Sequence, residues 1–305
     1  RNGFPVAPYR LASDGPSLDA AVAALGTPCL VKTAGFGYDG KGQVALQTTS
    51  AAAAPAIDAL AAAPAIDALA AAHALVAAGP VVVERRIDLR LELSVIAARS
   101  VDGRTATYAP VVNRHVDQVL DLSFTPHRGA TGTRSVGAGR APDGLEDLTL
   151  SDALADEAVA VAGRVCEALG LVGLCCVEFF VSREGELLVN EIAPRPHNSG
   201  HLTIEAAATD QFEQQLRAVC GLPLGDTRLL TPAAMANLLG DLWTGGTPDL
   251  AAALAVPGVT LHLYGKSEAR PGRKMGHLTA TGTDVATAVD AVVKARAAEG
   301  APVRR

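Results

Sequence analysis

The sequence predicts an α+β fold, and three observations carry that prediction. Apolar strand-like runs and helical runs follow one another without the regular alternation of a parallel βαβ sheet. Candidate strands are paired around short turn signals, among them Asp102-Gly103 and Arg183-Glu184-Gly185. Hydrophobic residues make up 49% of the 305 residues, enough for a sizeable core in about two domains at roughly 150 residues each. Composition excludes other classes. With 26 basic and 32 acidic residues the net charge is −6, which leaves no electrostatic footprint for nucleic acid. No apolar run reaches the roughly 18 residues of a membrane span. Cys29, Cys166, Cys175, Cys176 and Cys220 lie in apolar stretches without a C-x-x-C spacing, as buried thiols do in a reducing, cytoplasmic setting.

Taken in order, Ser17 to Gly26 reads as a short helix with a Ser cap and a Gly stop. Cys29 to Lys32 and Gln43 to Leu46 read as strands on either side of a glycine-rich loop, Gly35 to Gly42. Residues 55–63 and 64–72 are an identical nonapeptide in tandem, too short and too few for a solenoid. They lengthen a surface helix in which Pro64 introduces a kink or a break. Val81 to Glu84 and Leu89 to Arg99 are strands, and His127 to Leu150 is a loop rich in Gly, Thr and Arg. Asp152 to Leu169 is an amphipathic helix ending at Gly170, and Val172 to Val181 and Glu186 to Ile192 form a hairpin. Thr203 to Cys220 is a helix closed by Gly221. A composition change near Gly225 precedes a small C-terminal unit with strands Leu261 to Tyr264 and Lys274 to Thr281 and a last helix, Asp284 to Glu299. His73 and His262 have apolar neighbours and read as structural.

Two acidic residues stand out inside apolar strands. If the hairpin turn is the two-residue Glu184-Gly185, paired positions sum to 369, and Glu178 faces Glu191 directly. Opposed like charges are destabilising unless compensated. A divalent cation would compensate, and oxygen-only ligands select Mg²⁺ over Zn²⁺. Pairing with Arg195 or another cation, or protonation of one carboxyl, would also do so. The chain then leaves the strand through Pro194-Arg195-Pro196-His197-Asn198-Ser199-Gly200-His201, poor core material that offers cationic and neutral donors to a carboxylate or phosphate.

Two further segments suit phosphate. Lys32 precedes Gly35-Phe-Gly37-Tyr38-Asp39-Gly40-Lys41-Gly42-Gln43, where glycines would let backbone N–H groups approach phosphate oxygens. The order of residues is neither a Walker loop nor the dinucleotide fingerprint. A plain hairpin tip would read the same way, but with the carboxylate pair it suggests a nucleoside triphosphate held between two lobes. Lys266, Arg270, Arg273 and Lys274 cluster around Pro271-Gly272, either as a solvated basic loop or as an anion site for a second substrate.

Together these segments resemble the ATP-grasp superfamily, and within it the 5-(carboxyamino)imidazole ribonucleotide synthase family of purine biosynthesis. The matching strings are Leu30-Val-Lys-Thr with Gly37-Tyr-Asp-Gly-Lys-Gly-Gln43, Glu92-Leu-Ser-Val, and Asn190-Glu-Ile-Ala-Pro-Arg-Pro-His-Asn-Ser-Gly-His201. They continue with Gln211-Phe-Glu and Gly265-Lys…Arg270-Pro-Gly-Arg-Lys-Met-Gly-His277. The resemblance implies an ATP-grasp fold divided into a lid subdomain with linker at 1–86, a central antiparallel sheet with the metal site at 87–225, and a C-terminal substrate-phosphate domain at 226–305.

It further implies a carbon–nitrogen ligase in which ATP, bicarbonate and 5-aminoimidazole ribonucleotide give the N-carboxylated ribonucleotide, ADP and phosphate. Lys32 and the amides of Gly37, Tyr38, Asp39, Gly40, Lys41, Gly42 and Gln43 would hold ATP phosphates. Glu84, Arg85, Arg86 and Ile87 would line the adenine hinge, Glu92 would take the ribose, and His115 would lie near the nucleotide. Glu178 and Glu191 would carry Mg²⁺ with Asn190 beside them. Arg195, Lys32 and Asn198 would be catalytic, and His197, Ser199, Lys266, Arg273 and Lys274 would bind substrate. The family begins with a nucleotide-fold domain that helps build the substrate site and a homodimer, and this chain starts after it. The implied partners are small molecules, with no nucleic acid and no membrane. Within enzymes the alternative is another ATP-grasp ligase, such as a formate-dependent glycinamide ribonucleotide transformylase or a biotin carboxylase-like enzyme; outside them it is a non-catalytic nucleotide-binding fragment.

Overall fold

A computed structural model of the chain describes residues 2–35, 42–47, 65–126 and 150–298. The expected phosphate-loop residues Gly37, Tyr38, Asp39, Gly40 and Lys41, the first nonapeptide copy, and the loop at 127–149 lie outside the described residues. The chain divides into two compact units, one of Pro5–Asp88 with His115–Val119, the other of Arg1–Phe4, Leu89–Arg114 and Leu120–Arg305.

The smaller unit is a four-stranded antiparallel sheet with two helices. Strands β1 (Tyr9–Ala12), β2 (Cys29–Thr33), β3 (Gln43–Leu46) and β4 (Val81–Arg85) lie in the order β1-β4-β2-β3. Helices α1 (Gly15–Leu25) and α2 (Ala65–Ala78) bury Leu18, Ala21, Leu25, Ala72 and Val76 against Cys29, Val31, Val81 and Val83. The cap of α1 is Asp14, not Ser17. The Asp14 carboxylate accepts from the Ser17 N–H at 2.8 Å and the Ser17 hydroxyl accepts from the Asp14 N–H at 3.1 Å, a capping box with Ser17 at its third position. Residues 65–72 of the second nonapeptide copy are helical. His73 is half-exposed and bonds Asp19 at 3.0 Å across the two helices, rather than sitting among apolar groups.

The larger unit is built on a nine-stranded antiparallel sheet. Its strands are β5 (Leu89–Arg99), β6 (Thr105–Thr107), β7 (Val111–Val116), β8 (Val119–Phe124), β9 (Gly173–Ser182), β10 (Leu187–Ala193), β11 (Ala233–Leu239), β12 (Val259–Leu263) and β13 (Lys274–Thr281). Their order is β10-β9-β5-β7-β8-β11-β13-β12, with β6 paired to β5. Side chains alternate across a strand. Leu91, Leu93, Val95 and Ala97 of β5 and Cys175, Val177, Phe179 and Val181 of β9 therefore share one apolar face, covered by α3 (Asp152–Ala168), α6 (Leu250–Leu254) and α7 (Val285–Ala298). Residues such as Ser94 and Glu178 occupy the opposite face, where α4 (Thr203–Ala206) and α5 (Gln211–Val219) pack. The helix expected from Thr203 to Cys220 is thus two helices, because the chain breaks at Ala207 and restarts with Asp210 as the cap of α5.

Residues 226–305, expected as a domain of their own, add three strands to this same sheet through β11, which pairs with β8. Helix α7 is fastened to β8 by a buried ion pair. Arg296 donates to the Asp121 carboxylate at 2.7 and 3.3 Å, and Arg114 bonds the same carboxylate from the neighbouring strand. Burial alone would raise the Asp121 pKa, but the two guanidinium groups outweigh it and hold it below the usual carboxylate range. A depressed acid contributes stability above its unfolded pKa and loses it as the pH falls through the folded value. Arg296→Met leaves the buried Asp121 with Arg114 alone, so it is expected to cost about 2 kcal/mol at pH 7 in urea unfolding. That difference from the wild type should shrink below about pH 4, where Asp121 begins to protonate.

Candidate active site

The hairpin of β9 and β10 sets the position of the two glutamates. Its turn has three residues, Arg183-Glu184-Gly185, with Gly185 at φ 89°, a left-handed conformation that suits glycine. Leu187 therefore pairs with Val181, Leu188 with Phe180 and Val189 with Phe179, one position away from the register a two-residue turn would give. A bulge between Val189 and Glu191 inserts Asn190 and restores the shift, so that Glu191 lies opposite Glu178 after all. The expected pairing is present, but the expected turn is not.

Glu178 has a hydrogen-bonding partner in His197. Its Oε1 lies 3.1 Å from Nε2 of His197, and both side chains are largely buried. Burial opposes an imidazolium at His197, whereas Cys176 and the Glu178 carboxylate favour one, and together they raise its pKa. Glu191 is exposed on the same hairpin. Among the described residues no three His, Cys, Asp or Glu side chains gather into a metal cluster.

After β10 the segment from Pro194 to His201 is held by side chains from several elements. Arg195 is exposed, its guanidinium donating to the Pro196 carbonyl at 3.1 Å. His197 to Gly200 are buried and form a single 3₁₀ turn. Gln211, fully buried at the start of α5, clamps this turn. Its side chain accepts from the His197 N–H and donates to the His197 carbonyl, both at 2.8 Å, and its Nε2 also lies 2.8 Å from Nδ1 of His201. Gly200 is required by packing, since a Cβ there would meet Ile96 at 2.5 Å and Gln211 at 2.7 Å. Asn198 forms a reciprocal amide pair with Asn237 of β11, at 2.9 and 2.5 Å, and His201 at the end of the turn packs edge-on to the Tyr264 ring, centroids 5.9 Å apart.

That last contact joins the exit turn to the basic loop. Lys266 donates to the Lys274 carbonyl at 2.5 Å and lies 5.4 Å from the Tyr264 ring centroid. Burial and the nearby Arg273 and Lys274 charges lower the Lys266 pKa, the signature of cations gathered without enough anions. Arg270 is spoken for by Glu268 at 2.5 Å. The loop is pinned by the Gly272 N–H donating to Asp241 at 2.7 Å and the Gly240 N–H donating to the Arg273 carbonyl at 2.8 Å.

Beneath the loop lies a feature the sequence did not announce. His201, His277 and His262 stack, with centroids 4.8 and 4.5 Å apart. His262 bonds Glu205 at 2.6 Å, so it is partnered by a charge rather than surrounded by apolar groups. The Tyr264 hydroxyl bonds Nδ1 of His277 at 2.9 Å. The available signal was the strand alternation that places His262 and His277 directly opposite each other.

In the smaller unit, Lys32 pairs with Glu84 at 2.5 Å, as diagonal neighbours on β2 and β4. Gln43 bonds Gln118 at 2.5 Å, in the β7–β8 turn where Asp117 and Gln118 adopt positive φ. His115 lies on β7 close to that turn. Arg85 closes β4, with Arg86 and Ile87 just beyond it, and Gly42 sits against Thr33 with φ 78°. Glu92, in the larger unit, pairs in register with Asn113 on β7.

Comparison with known proteins gives the family of the chain. Residues 1–136 and 144–212 match the ATP-grasp domain, and residues 233–291 match the phosphoribosylaminoimidazole carboxylase C-terminal domain. The chain belongs to the ATP-grasp family. It is 39% identical over 279 residues to N5-carboxyaminoimidazole ribonucleotide synthase of Bacillus subtilis, covering 91% of this chain and 62% of that protein. Its fold matches the N5-carboxyaminoimidazole ribonucleotide synthetase of Thermus thermophilus with a TM-score of 0.73 at 36% identity, over 97% of this chain and 68% of that one. An Aspergillus clavatus relative, solved with ADP and 5-aminoimidazole ribonucleotide, matches with a TM-score of 0.75 at 26% identity, over 98% of this chain and 69% of that one. The chain thus spans a little under two thirds of the curated relatives' length, 62% and 66% of the first two. Among the described residues no helix is long and apolar enough to cross a membrane.

The histidine stack has a pH signature. Burial, then the neighbouring His197, His262 and Lys274 groups, lower the His201 pKa to about 4, and burial with its imidazole neighbours lowers that of His277 to about 3. The unfolded chain binds these protons near pH 6.5 and the folded chain does not. Stability should therefore fall as the pH drops from about 6.5 toward about 4, the folded His201 value. His201→Gln should flatten that slope in urea midpoints measured across the window.

Proposed function

We propose that the chain carries the catalytic body of an ATP- and bicarbonate-dependent carboxylase of 5-aminoimidazole ribonucleotide, working in the cytoplasm on the route to purines. The observation that supports this best is the continuity of one polar surface in the larger unit. Opposed Glu178 and Glu191, the exit turn from Arg195 to His201, and the cationic loop with Lys266, Arg273 and Lys274 are linked through His201, whose ring packs edge-on to Tyr264 at 5.9 Å.

The proposed reaction has two transfers. A bicarbonate oxygen attacks the γ-phosphorus of ATP, the bond from that phosphorus to the bridging oxygen breaks, and ADP leaves. The exocyclic amine of the ribonucleotide then attacks the carboxyl carbon of carboxyphosphate, phosphate departs with the electron pair, and the nitrogen loses a proton. In such a sequence positioning and electrostatic stabilisation carry the catalysis. Lys32, Gly42 and Gln43, with the preceding loop residues, would hold ATP phosphates, and Lys32 would have to exchange Glu84 for a phosphate. Glu84 to Ile87 would line the adenine, Glu92 the ribose hydroxyls, and His115 would lie near the nucleotide. Arg195 offers planar donors to the carboxyphosphate, with His197 and Asn198 beside it. Lys266, Arg273 and Lys274 would take the phosphate of the ribonucleotide.

The donor set fits Mg²⁺. Two carboxylates with Asn190 between strands are hard oxygen ligands, and so few of them suit an ion that keeps waters and substrate phosphates. When bound, Mg²⁺ would neutralise charge on the phosphate oxygens. Ser199 fits a different role from the one its motif implies. It is fully buried, and its hydroxyl is engaged by His197 and Ser94.

ADP release with bicarbonate plus 5-aminoimidazole ribonucleotide should exceed that with formate plus glycinamide ribonucleotide; the reverse preference would point to a transformylase, and release with neither to a binding fragment. Glu191→Gln should lower Mg²⁺-dependent ATP turnover about 100-fold. Lys266→Ala and Lys274→Ala should each raise KM for the ribonucleotide about tenfold while leaving KM for ATP unchanged.

A further inference from the structure

A continuous line of buried hydrogen bonds runs from Glu178 across three further strands. Nε2 of His197 lies 3.1 Å from Glu178. Nδ1 of His197 lies 2.8 Å from the Ser199 hydroxyl, which is 2.7 Å from the Ser94 hydroxyl of β5. Ser94 is 3.0 Å from the side-chain amide of Asn113 on β7, and the Asn113 carbonyl oxygen is 2.8 Å from the Ser123 hydroxyl on β8. Ser94, Ser123 and Ser199 are completely buried, and Asn113 nearly so. Four polar side chains away from water on one sheet face are costly unless each is satisfied, and each of these is.

The direction of the line can be read from its one fixed donor. The backbone N–H of Ser199 points at Nδ1 of His197 at 3.3 Å. A backbone amide cannot reverse, so Nδ1 presents a lone pair. The Ser199 hydroxyl must then donate its single proton to Nδ1 and accept from Ser94. Ser94, its proton given to Ser199, can only accept from the Asn113 amide nitrogen, which turns the Asn113 carbonyl toward the Ser123 hydroxyl as its donor. With Nδ1 an acceptor, the ring proton is at Nε2, directed at Glu178. The Glu178 carboxylate favours an imidazolium, but it would not relieve an Nδ1–H set against the Ser199 amide.

We propose that Ser94, Asn113 and Ser123 are positioning residues that, through Ser199, hold Nδ1 of His197 as an acceptor and aim its Nε2–H at Glu178. The inference rests on the functional reading only for its kinetic consequence. His197 leaves the hairpin that carries Glu178 and Glu191, so a ring free to rotate or change tautomer would release the Glu178 carboxylate from its orientation. Outer partners of this kind commonly fix both the tautomer and the ligand geometry of a site.

The test is nitrogen-15 NMR of the histidine side chains in the 305-residue chain, with His197 assigned by His197→Gln. In the wild type the His197 proton should be at Nε2, with an unprotonated Nδ1. Ser94→Ala should shift both ring nitrogens and mix the tautomers, and Ser94→Thr, which keeps the hydroxyl, should restore the wild-type pattern. Ser123→Ala, a smaller deletion at the far end that frees the Asn113 amide to turn, should give the same mixing and serves if Ser94→Ala does not fold. A proton at Nδ1 in the wild type, or His197 signals unchanged in both alanine variants, would overturn the proposal. Turnover adds a second readout: Ser94→Ala should lower kcat on the order of tenfold with KM for ATP unchanged. Failure of the wild type to turn over ATP would sink the functional reading, while the NMR result would still decide this one.

Discussion

Two carboxylates facing each other across one hairpin impose the constraint on which the larger unit is arranged. Directly opposed like charges are unfavourable in any sheet. The chain meets this on one side with His197, which returns from the exit turn to Glu178, and leaves Glu191 exposed. The bulge at Asn190 is part of the same solution. Without it, the register of the first three pairs would set Glu191 out of step with Glu178 and reverse the faces of the residues that follow. An inserted residue beside two acids is costly to a ladder, and bulges recur where side chains must be re-aimed next to chemistry.

The sheet then extends this constraint sideways. One face is apolar throughout, closed by α3, α6 and α7. The other carries a polar row that crosses nearly every strand: Glu191, Glu178, Ser94, Asn113, Ser123, Asn237, His277 and His262. A row of this kind stays buried at least cost where its members satisfy one another, and the Asn198–Asn237 pair does for β11 what the serine–asparagine line does for β5 to β8. In the histidine stack Tyr264 satisfies Nδ1 of His277, whereas Nε2 of that ring is buried without a hydrogen-bond partner among the described residues. The C-terminal strands therefore complete both faces of the sheet, which is why residues 226–305 share a compact unit with the rest although the family divides the sequence there.

Much of this was legible in the sequence wherever one physical rule dominated. The strands β3 and β5 follow from alternation and length, and α3 from its amphipathic period and the Gly170 that ends it. The opposition of Glu178 and Glu191 was readable only because two departures cancel: a three-residue turn shifts the register one way and the bulge shifts it back. Local patterns do not encode such a cancellation. The cap of α1 was missed because Asp14 and Ser17 are both good capping residues, and only the reciprocal geometry separates them. The roles of Gln211 and Ser199 could not be read from motif position, since both are defined by what reaches them from distant strands. His262 looked structural because its sequence neighbours are apolar, whereas its spatial neighbours, Glu205 and His277, lie 57 and 15 residues away.

The basic loop shows how backbone contact can govern a charged site. Lys266, Arg273 and Lys274 repel one another, and a loop of such composition would spread apart if only its side chains held it. Its backbone is what is gripped. The Arg270 carbonyl passes where the Cβ of residue 240 would be, at 2.1 Å, so only glycine lets the loop close on the turn after β11. Asp241 and the Gly240 amide then fix Gly272 and Arg273. Below them, Tyr264 ties the strand end to His277 and packs against His201. Cations held together in this way would meet an incoming phosphate already oriented, and the repulsion among them would be relieved by the anion. The order of causes thus runs from a missing Cβ, through a pinned backbone, to a preference for negative charge that the chain's overall charge of −6 conceals.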